Sequence, residues 1–551
     1  MRVCLTFLVV GGCLVLINRF KRLPFSWLKR STPGLHWLSG GFALIFCGVG
    51  FWYLGTQGFA GEVEPLVSSL SWVWQEGLPL YHNLDAPSQY SILYGPSVFL
   101  TNGLFLKVLG PTLFSAKLAS FLGALASLLF IHAALSRRKH DPLAAGAVLA
   151  AILLYWAHGF GIYLVRPDSL LVFSTGMGIY LAARSRPLPG ALALAALLGF
   201  AVNLKVHGAF YFIPILYLAR MRWGWKWFLV ATVGAVPLIL LPFFLFPSIS
   251  LGNYILWLKE AGHHGLVATA LPLTLRYVFL LLLPWLALVA VVPDAAAFLR
   301  RERGTLLAVL FGMAPVLVIA AKPGAGPVHL MPLVPVMVVM AGMAARRIPT
   351  GAQVGRPMRA TIRSPGWALA AGVTLLLAGS VSGYRSTRLV AWELANASDV
   401  ARELRGIMTD YDGLTIAMAC GGENASFRET WIRPLLVFAS QPVLIDPISV
   451  MDRCRAGRPL SQATYEAMKS GRVQLWLVPR GQTPFVKANW YPPHDQIFPA
   501  SFRTAFVQTY VKRGHTDHFD LWFWKNDPSP RAGGGYVSAG GTNTGVMAPS
   551  K

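Results

Sequence analysis

Long apolar runs separated by short polar links make up most of the chain before residue 384. Apolar stretches of about 18 or more residues are typical of membrane-spanning helices. The pattern predicts eleven spans, at residues 36–55, 114–135, 142–158, 169–183, 188–203, 208–219, 228–246, 273–292, 304–321, 328–345 and 366–384. The fold class is therefore predicted to be an α-helical polytopic membrane protein.

The links between the predicted spans alternate in charge. One set is strongly basic and contains Arg19, Lys21, Arg22, Lys29 and Arg30; Arg137, Arg138 and Lys139; Arg184 and Arg186; Arg220, Arg222 and Lys226; Arg300, Arg301 and Arg303; and Arg346, Arg347, Arg356, Arg359 and Arg363. The other set has isolated cations only, at Lys107, Arg166, Lys205, Lys259 and Lys322. Basic links favour the cytoplasmic side. The second set is therefore expected on the extracytoplasmic side. The membrane is predicted to be the cytoplasmic (inner) membrane.

From residue 385 the composition turns polar and mixed. A helical pattern occupies LVAWELANASDVARELRGIM, and strand-like runs occur in LTIAMAC, QPVLID, RVQLWLVP and FDLWFW. This predicts a small α/β domain at 385–526, delivered to the outer side by the last span. The rest divides into an N-terminal hydrophobic segment with a basic loop (1–35), a transmembrane domain (36–384) with a first outer loop (56–113), and a Gly/Ser/Pro-rich tail (527–551) predicted to be disordered.

Composition supports this division. The chain of 551 residues is 55% hydrophobic and 13% charged, with a mean hydropathy of +0.53. Its net charge of +25 lies in the links, where it determines topology, so no nucleic-acid partner is expected. Five cysteines are too few for a disulfide framework, although Cys420 and Cys454 could pair outside the cytoplasm.

Two carboxylates, Glu62 and Glu64, follow the first predicted span directly. Pro65 and the run PLVSSLSWVWQEG predict an amphipathic helix that ends at Gly77. A carboxylate at its N-terminal end is favoured by the helix dipole. Glu64 is then either a helix cap or a functional group. A second apolar piece, YGPSVFLTNGLFLKVLG, is predicted to lie along the membrane interface.

Further ionisable residues gather at the outer ends of the later spans. They are Arg166 and Asp168 in YLVRPDSLLVF, Lys205 and His207 in NLKVHGAF, and Lys322 and His329 in AKPGAGPVHLMPLVP. Each could be a topology anchor, a helix cap or a cation whose side chain reaches the interface. Ionisable groups at a bilayer boundary are costly unless they pair or line a cavity. Their shared sidedness favours one polar site at the outer face.

In order and sidedness these motifs resemble the GT-C membrane glycosyltransferases. The resemblance rests on the acidic pair, on Gly77, Pro79 and Tyr81 in the pattern G-x-P-x-Y, on YGP at Tyr94–Pro96, on R-x-D at Arg166, and on KPGAGPVHLMP from Lys322. Within these enzymes, the chain is similar to the group that contains protein O-mannosyltransferases and the lipid A aminoarabinose transferase. The resemblance covers roughly residues 36–345. Many relatives have adjacent Asp-Glu where this chain has Glu-Val-Glu, which leaves open whether Glu62 or Glu64 is catalytic.

The resemblance implies transfer of a sugar from a polyprenyl-phosphate donor to a lipid, glycan or protein acceptor at the outer membrane face. Glu64 or Glu62 would act as base, with Asp168 as a second carboxylate or as the partner that orients Arg166. Arg166, Lys205, Lys322 and His329 would bind the donor phosphate, and Tyr81, Tyr94 and His207 would contact the sugar or acceptor. No metal site is predicted, although the carboxylates and histidines permit a divalent ion. The alternative is a transporter or lipid flippase, but the charges lie at one face and no internal repeat is evident.

Overall fold

The computed structural model describes residues 32–263, 265–268, 271–348, 365–422, 428–489, 491 and 494–526. These residues form two compact units. One is drawn from Met1–His82 and Ser91–Asn396, and the other from Asn83–Tyr90 and Ala397–Lys551. The predicted N-terminal hydrophobic segment and the predicted tail lie outside the described residues.

The first unit is helical. Its helices are α1 Thr32–Gly55, α2 Val63–Gln75, α3 Pro96–Leu109, α4 Leu113–Leu135, α5 Pro142–Ala157, α6 Pro167–Arg184, α7 Pro187–Leu204, α8 Gly208–Trp223, α9 Trp225–Leu245, α10 Leu251–Gly262, α11 Leu271–Val291, α12 Ala295–Ala320, α13 Val334–Arg346 and α14 Pro365–Glu393. Two 3₁₀ helices, Gly159–Tyr163 and Pro327–Leu333, precede α6 and α13.

A helix stands at each of the eleven positions where a span is predicted. By length and composition, eight helices among the described residues can cross a membrane. The remaining three predicted spans correspond to α5, α6 and α8, which are shorter or more polar. The chain is therefore an α-helical multi-pass membrane protein, as predicted.

Helix ends in this unit follow local sequence signals. Thr112 caps α4 by accepting a hydrogen bond from the Ser115 N–H at 3.1 Å, and Asp141 caps α5 by accepting one from the Leu143 N–H at 3.1 Å. Asp141 is followed by proline at the first position of α5, where the missing N–H costs nothing. Several arginines of the basic links complete the opposite ends: the Arg184 Nε donates to the Ala134 carbonyl at 3.0 Å. These arginines therefore stabilise helix termini as well as marking topology.

Small residues bring α4 and α6 close together. A Cβ added at Gly176 would lie 3.1 Å from the Ser127 Cα, and one added at Gly123 would lie 3.1 Å from the Ser169 carbonyl oxygen. Close backbone approach through small residues is the usual way in which membrane helices associate. This packing fixes the N-terminal end of α6, where Asp168 lies.

The second unit contains a small mixed sheet surrounded by helices. Its elements are α15 Ala397–Asp410, β1 Ile416–Met418, the 3₁₀ helix Arg428–Ile432, α16 Pro434–Phe438, α17 Pro447–Arg455, α18 Gln462–Lys469, β2 Leu475–Pro479, α19 Ala500–Thr509, β3 Tyr510–His515 and β4 Phe519–Trp524. The strand order is β1-β2-β4-β3. Strands β1 and β2 are parallel, with Ile416 opposite Leu475, and the other pairings are antiparallel.

Alternating side chains of the sheet form the core of this unit. On one face Leu475, Leu477 and Leu521 pack with Leu404 and Ile407 of α15. The other face carries an aromatic cluster that includes Trp476, Phe485, Phe502, Phe506 and Tyr510. The α/β class predicted for this part of the chain is confirmed.

One local prediction in this unit is wrong, and one strand was not predicted. QPVLID forms no strand; its Ile445 makes only an isolated bridge with Gln89. The segment Tyr510–His515, not predicted, is an edge strand whose side chains are mostly exposed. Its sequence YVKRGH lacks the alternation that marks a half-buried strand. Cys420 and Cys454 are both free in the structure.

The segment Asn83–Tyr90 belongs to the second unit although it comes from the first loop. Gln89 is fully buried, its backbone N–H donates to the Leu444 carbonyl at 2.7 Å, and its Oε1 accepts from Arg453 at 3.1 Å. Ser461 donates to the Asp85 carbonyl at 2.8 Å. These hydrogen bonds make the segment an integral part of the second unit.

Candidate active site

Three charged side chains meet where α6 begins and α7 ends. Asp168 is fully buried in the first turn of α6, where the helix dipole favours a carboxylate. Its Oδ1 lies 2.6 Å from the Lys205 Nζ, and its Oδ2 lies 3.5 Å from the Arg166 Nε. Lys205 is 2% exposed, whereas Arg166 is 18% exposed. The carboxylate therefore pairs with one buried cation and orients a second one that remains accessible.

The turn between α7 and α8 places Lys205 and His207. The Gly208 N–H donates to the Lys205 carbonyl at 2.7 Å. A Cβ at Gly208 would lie 2.2 Å from the Ala201 carbonyl oxygen, so this tight turn requires glycine. The sequence NLKVHG thus ends one helix, starts the next and brings Lys205 to Asp168 of α6 and His207 to His329.

Two histidines extend the cluster. The rings of His207 and His329 stack with centroids 5.1 Å apart. His329 Nδ1 lies 3.1 Å from the Ala325 carbonyl oxygen, and the Tyr211 hydroxyl donates to the His329 carbonyl at 2.8 Å. Lys322 is partly exposed and interacts electrostatically with His207. Residues predicted from three separate loops are therefore brought together.

Tyr94 forms one wall of this cluster, and its side chain interacts electrostatically with Arg166. The Lys205 Nζ lies 5.4 Å from the Tyr94 ring centroid. Gly95, the next residue, donates its N–H to the Leu204 carbonyl at 3.2 Å, so the start of α3 lies against the end of α7. Tyr81 is buried behind Tyr94, and its hydroxyl donates to the Tyr94 carbonyl at 2.6 Å. Tyr81 thus supports the wall from behind.

We expect Gly95→Ala to destabilise the protein by about 1–3 kcal/mol, as overpacking usually does. The added Cβ would lie 2.2 Å from the Asn203 carbonyl oxygen, and both sides of this contact are backbone. The unfolding free energy of the purified protein in detergent measures the effect. Gly372→Ala in α14, where no atom lies within 4 Å of the added Cβ, is the matched control. Equal stability of the two variants would contradict this account of the YGP motif.

Glu62 and Glu64 have different environments. Glu62 is the N-cap residue of α2, is partly exposed, makes no side-chain capping hydrogen bond and interacts electrostatically with Arg166. Glu64 is fully buried and accepts hydrogen bonds from Tyr53, Ala60 and Val165. Burial raises the pKa of the Glu64 carboxyl, and these hydrogen bonds and the charge of Lys117 oppose the rise.

Sequence reasoning missed Tyr53 and Lys117, which contact each other beneath the cluster. Lys117 is fully buried in α4, and its Nζ donates to the Tyr53 carbonyl at 3.0 Å. The signal was present in the sequence, because LFSAKLASFLG places a lysine inside an apolar run. A charge inside a membrane span marks a functional or paired group by default.

The described residues contain no group of three or more His, Cys, Asp or Glu side chains that could hold a metal ion. The cluster is instead built from cations, one buried carboxylate, one accessible carboxylate and two histidines. Such a set can bind an anion and accept a proton.

Comparison with solved structures identifies the fold. ArnT from Cupriavidus metallidurans bound to undecaprenyl phosphate superposes with a TM-score of 0.53 and 16% identity, covering 87% of this chain and 97% of that chain. Its apo state gives a TM-score of 0.51 and 13% identity, with 87% and 96% covered. The chain has the GT-C fold. The GT-C-like architecture predicted from the sequence is confirmed.

No family model matches the chain, and no curated protein matches it by sequence. At this level of identity the GT-C likeness shows architecture only, and a fold can host more than one activity. The function therefore has to be argued from the side chains of the cluster.

Proposed function

We propose that the protein is a membrane glycosyltransferase that moves a sugar from a polyprenyl-phosphate donor to a lipid, glycan or protein acceptor. The observation that carries this proposal is the pairing of Asp168 with Lys205 and Arg166, and Glu62 interacts electrostatically with Arg166. It supplies, at one end of a GT-C bundle, both an accessible cation and an accessible carboxylate. ArnT, which shares the fold, binds undecaprenyl phosphate.

The donor phosphate needs cations, because it leaves as an anion when the glycosidic bond breaks. Arg166 and Lys322 are the accessible cations of the cluster and are proposed to contact the phosphate oxygens directly. Lys205 is buried against Asp168, so its proposed role is to hold that carboxylate in place and add positive potential. His329 and His207 are proposed to lie beside the phosphate or the sugar.

Glu62 is proposed as the base. A base must reach the acceptor hydroxyl, and Glu64 and Asp168 are both fully buried and bonded within the protein. Glu62 is partly exposed, and it lies in the field of the guanidinium that is proposed to bind the donor. Tyr94, which interacts electrostatically with that guanidinium, is proposed to contact the sugar.

The proposed step is a single inverting displacement. The acceptor oxygen attacks the anomeric carbon and loses its proton to Glu62. The bond between that carbon and the phosphate oxygen breaks, and polyprenyl phosphate leaves with the electron pair. By the positive-inside rule the site would lie on the outer side of the membrane. No nucleotide sugar is available on that side, so a lipid-linked donor is required there.

Transfer by the purified protein tests this function. The protein in lipid is incubated with radiolabelled polyprenyl-phosphate sugars and a membrane extract as acceptor, and the label in the acceptor is counted. We expect transfer from one donor and a loss of about 100-fold in kcat/KM for Arg166→Gln, because a charge-assisted contact to phosphate is removed. Arg186→Gln, an exposed arginine in a basic link, is the matched control. No transfer from any donor by folded protein, or equal transfer by both variants, would refute the proposal.

A further inference from the structure

The buried carboxylate of Glu64 connects three segments of the first unit. Its Oε1 accepts from the Tyr53 hydroxyl at 2.7 Å and from the Val165 N–H at 2.7 Å. Its Oε2 accepts from the Ala60 N–H at 2.9 Å. The end of α1, the turn before α2 and the residues directly before α6 therefore meet at one side chain.

Lys117 anchors this connection from α4. Its Nζ donates to the Tyr53 carbonyl at 3.0 Å, the Thr56 carbonyl at 2.8 Å and the Thr56 Oγ1 at 2.8 Å. The same Nζ lies 4.4 Å from the Tyr53 ring centroid. All three ammonium hydrogens are therefore used at the C-terminal end of α1, where the helix dipole favours a cation.

The connection reaches the candidate site through the backbone. Val165, whose N–H donates to Glu64, immediately precedes Arg166. Arg166 is the N-cap residue of α6, with φ −143° and ψ 160°, and its own N–H donates to the Leu164 carbonyl at 2.8 Å. A carboxylate that fixes the Val165 peptide therefore fixes the start of the Arg166 side chain, while Asp168 holds its guanidinium.

Glu64 is out of reach of a substrate hydroxyl at its present position. It is 0% exposed, and both of its oxygens are occupied by donors of the protein. A proton acceptor has to be reached by the acceptor hydroxyl within hydrogen-bond distance. The contacts of Glu64 are those of a group that positions its neighbours.

We propose that Lys117, Tyr53 and Glu64 form a positioning network that holds Arg166 where it binds the donor phosphate. This inference rests on the proposed function and deepens it, because it assigns Glu64 to donor binding and leaves proton transfer to Glu62. The network acts through the Val165 backbone and does not touch the substrate.

The test measures binding and turnover separately in Tyr53→Phe, Lys117→Met and Glu64→Gln. Undecaprenyl phosphate is titrated onto each variant in nanodiscs, and transfer is measured with the donor that the wild type uses. We expect the dissociation constant of undecaprenyl phosphate and the donor KM to rise about tenfold, because a charge-assisted contact is misplaced. The value of kcat should change much less. Tyr155→Phe, which removes a buried hydroxyl at 3.0 Å from Ser127, is the matched control and should bind as the wild type does.

Two results would overturn the network. One is a kcat for Glu64→Gln reduced at least about 100-fold at unchanged donor KM, which is the signature of a lost base. The other is undecaprenyl phosphate binding in Tyr53→Phe and Lys117→Met that equals binding in Tyr155→Phe. Folding is checked by size-exclusion profile and thermal midpoint. If the wild type transfers no sugar, the proposed function is contradicted but the positioning network is not. The binding of undecaprenyl phosphate by the variants still tests the network.

Discussion

Glu62→Gln is expected to reduce kcat for sugar transfer by about 10²–10⁴-fold, the usual contribution of a general base. The amide keeps the shape of the side chain but cannot take the acceptor proton. Donor KM should change little, because the phosphate contacts are proposed to belong to Arg166 and Lys322. Stability should also be unchanged, because Glu62 is partly exposed and does not cap α2 through its side chain. Initial rates over a range of donor concentrations measure both constants.

Glu76→Gln is the matched control for this experiment. Glu76 lies at the other end of the same helix and is exposed, so its substitution removes an equal charge without approaching the site. Wild-type kcat in Glu62→Gln would remove Glu62 from the chemistry. The base would then be Glu64 or Asp168, and the buried contacts of that carboxylate would have to open during catalysis.

Lys205→Met is expected to lower the free energy of unfolding by about 3–5 kcal/mol, the typical effect of removing one partner from a buried ion pair. Asp168 is fully buried, and without Lys205 its remaining cation is Arg166, 3.5 Å from Oδ2. The methionine keeps most of the volume of the lysine stem. The decrease in the free energy of unfolding therefore measures the cost of burying the Asp168 carboxylate without Lys205. Chemical or thermal unfolding of the purified protein in detergent measures it.

Lys107→Met controls for the loss of a lysine, because Lys107 is exposed on α3. Adding Asp168→Asn to Lys205→Met should restore part of the stability, since the buried charge is then removed. The double variant should still transfer little sugar, because Arg166 has lost the carboxylate that orients it. A Lys205→Met protein as stable as Lys107→Met would contradict the buried pair.

The helices of the first unit follow from the sequence because a membrane span is a local signal. Length and apolarity suffice to locate it, and the structure has a helix at every predicted position. The errors lie at the ends. Helix α12 begins at Ala295 rather than near residue 304, because Asp294 accepts a hydrogen bond from the Ala297 N–H at 2.8 Å and starts the helix within the basic link. Helix α14 continues to Glu393, past the apolar run.

The sheet of the second unit shows where local patterns fail. QPVLID has the composition of a strand, but its backbone is bonded to Gln89, and the Asp446 N–H donates to the Gln89 carbonyl at 2.8 Å. That partner comes from the first loop, more than 350 residues earlier in the chain. The edge strand Tyr510–His515 is present in the structure but was not predicted. It buries only one of its six residues, so its sequence carries little apolar signal.

The members of the candidate site could be grouped from the sequence by the ends of the spans on which they lie, but their roles could not be separated. Glu62 and Glu64 are two residues apart and look equivalent in the sequence. The difference depends on Val165, 101 residues away, whose N–H donates to Glu64. The pairing of Lys205 with Asp168 is equally a tertiary contact, and on this ground we propose a supporting role for Lys205.

We propose above all that the polar cluster at the start of α6 binds the phosphate of a polyprenyl donor. An experimental structure of the protein with undecaprenyl phosphate tests it most directly. The predicted result is a phosphate whose oxygens lie at about 3 Å from the Arg166 guanidinium and the Lys322 Nζ, at hydrogen-bond distance. A phosphate bound elsewhere, with Arg166 in contact only with protein, would contradict it.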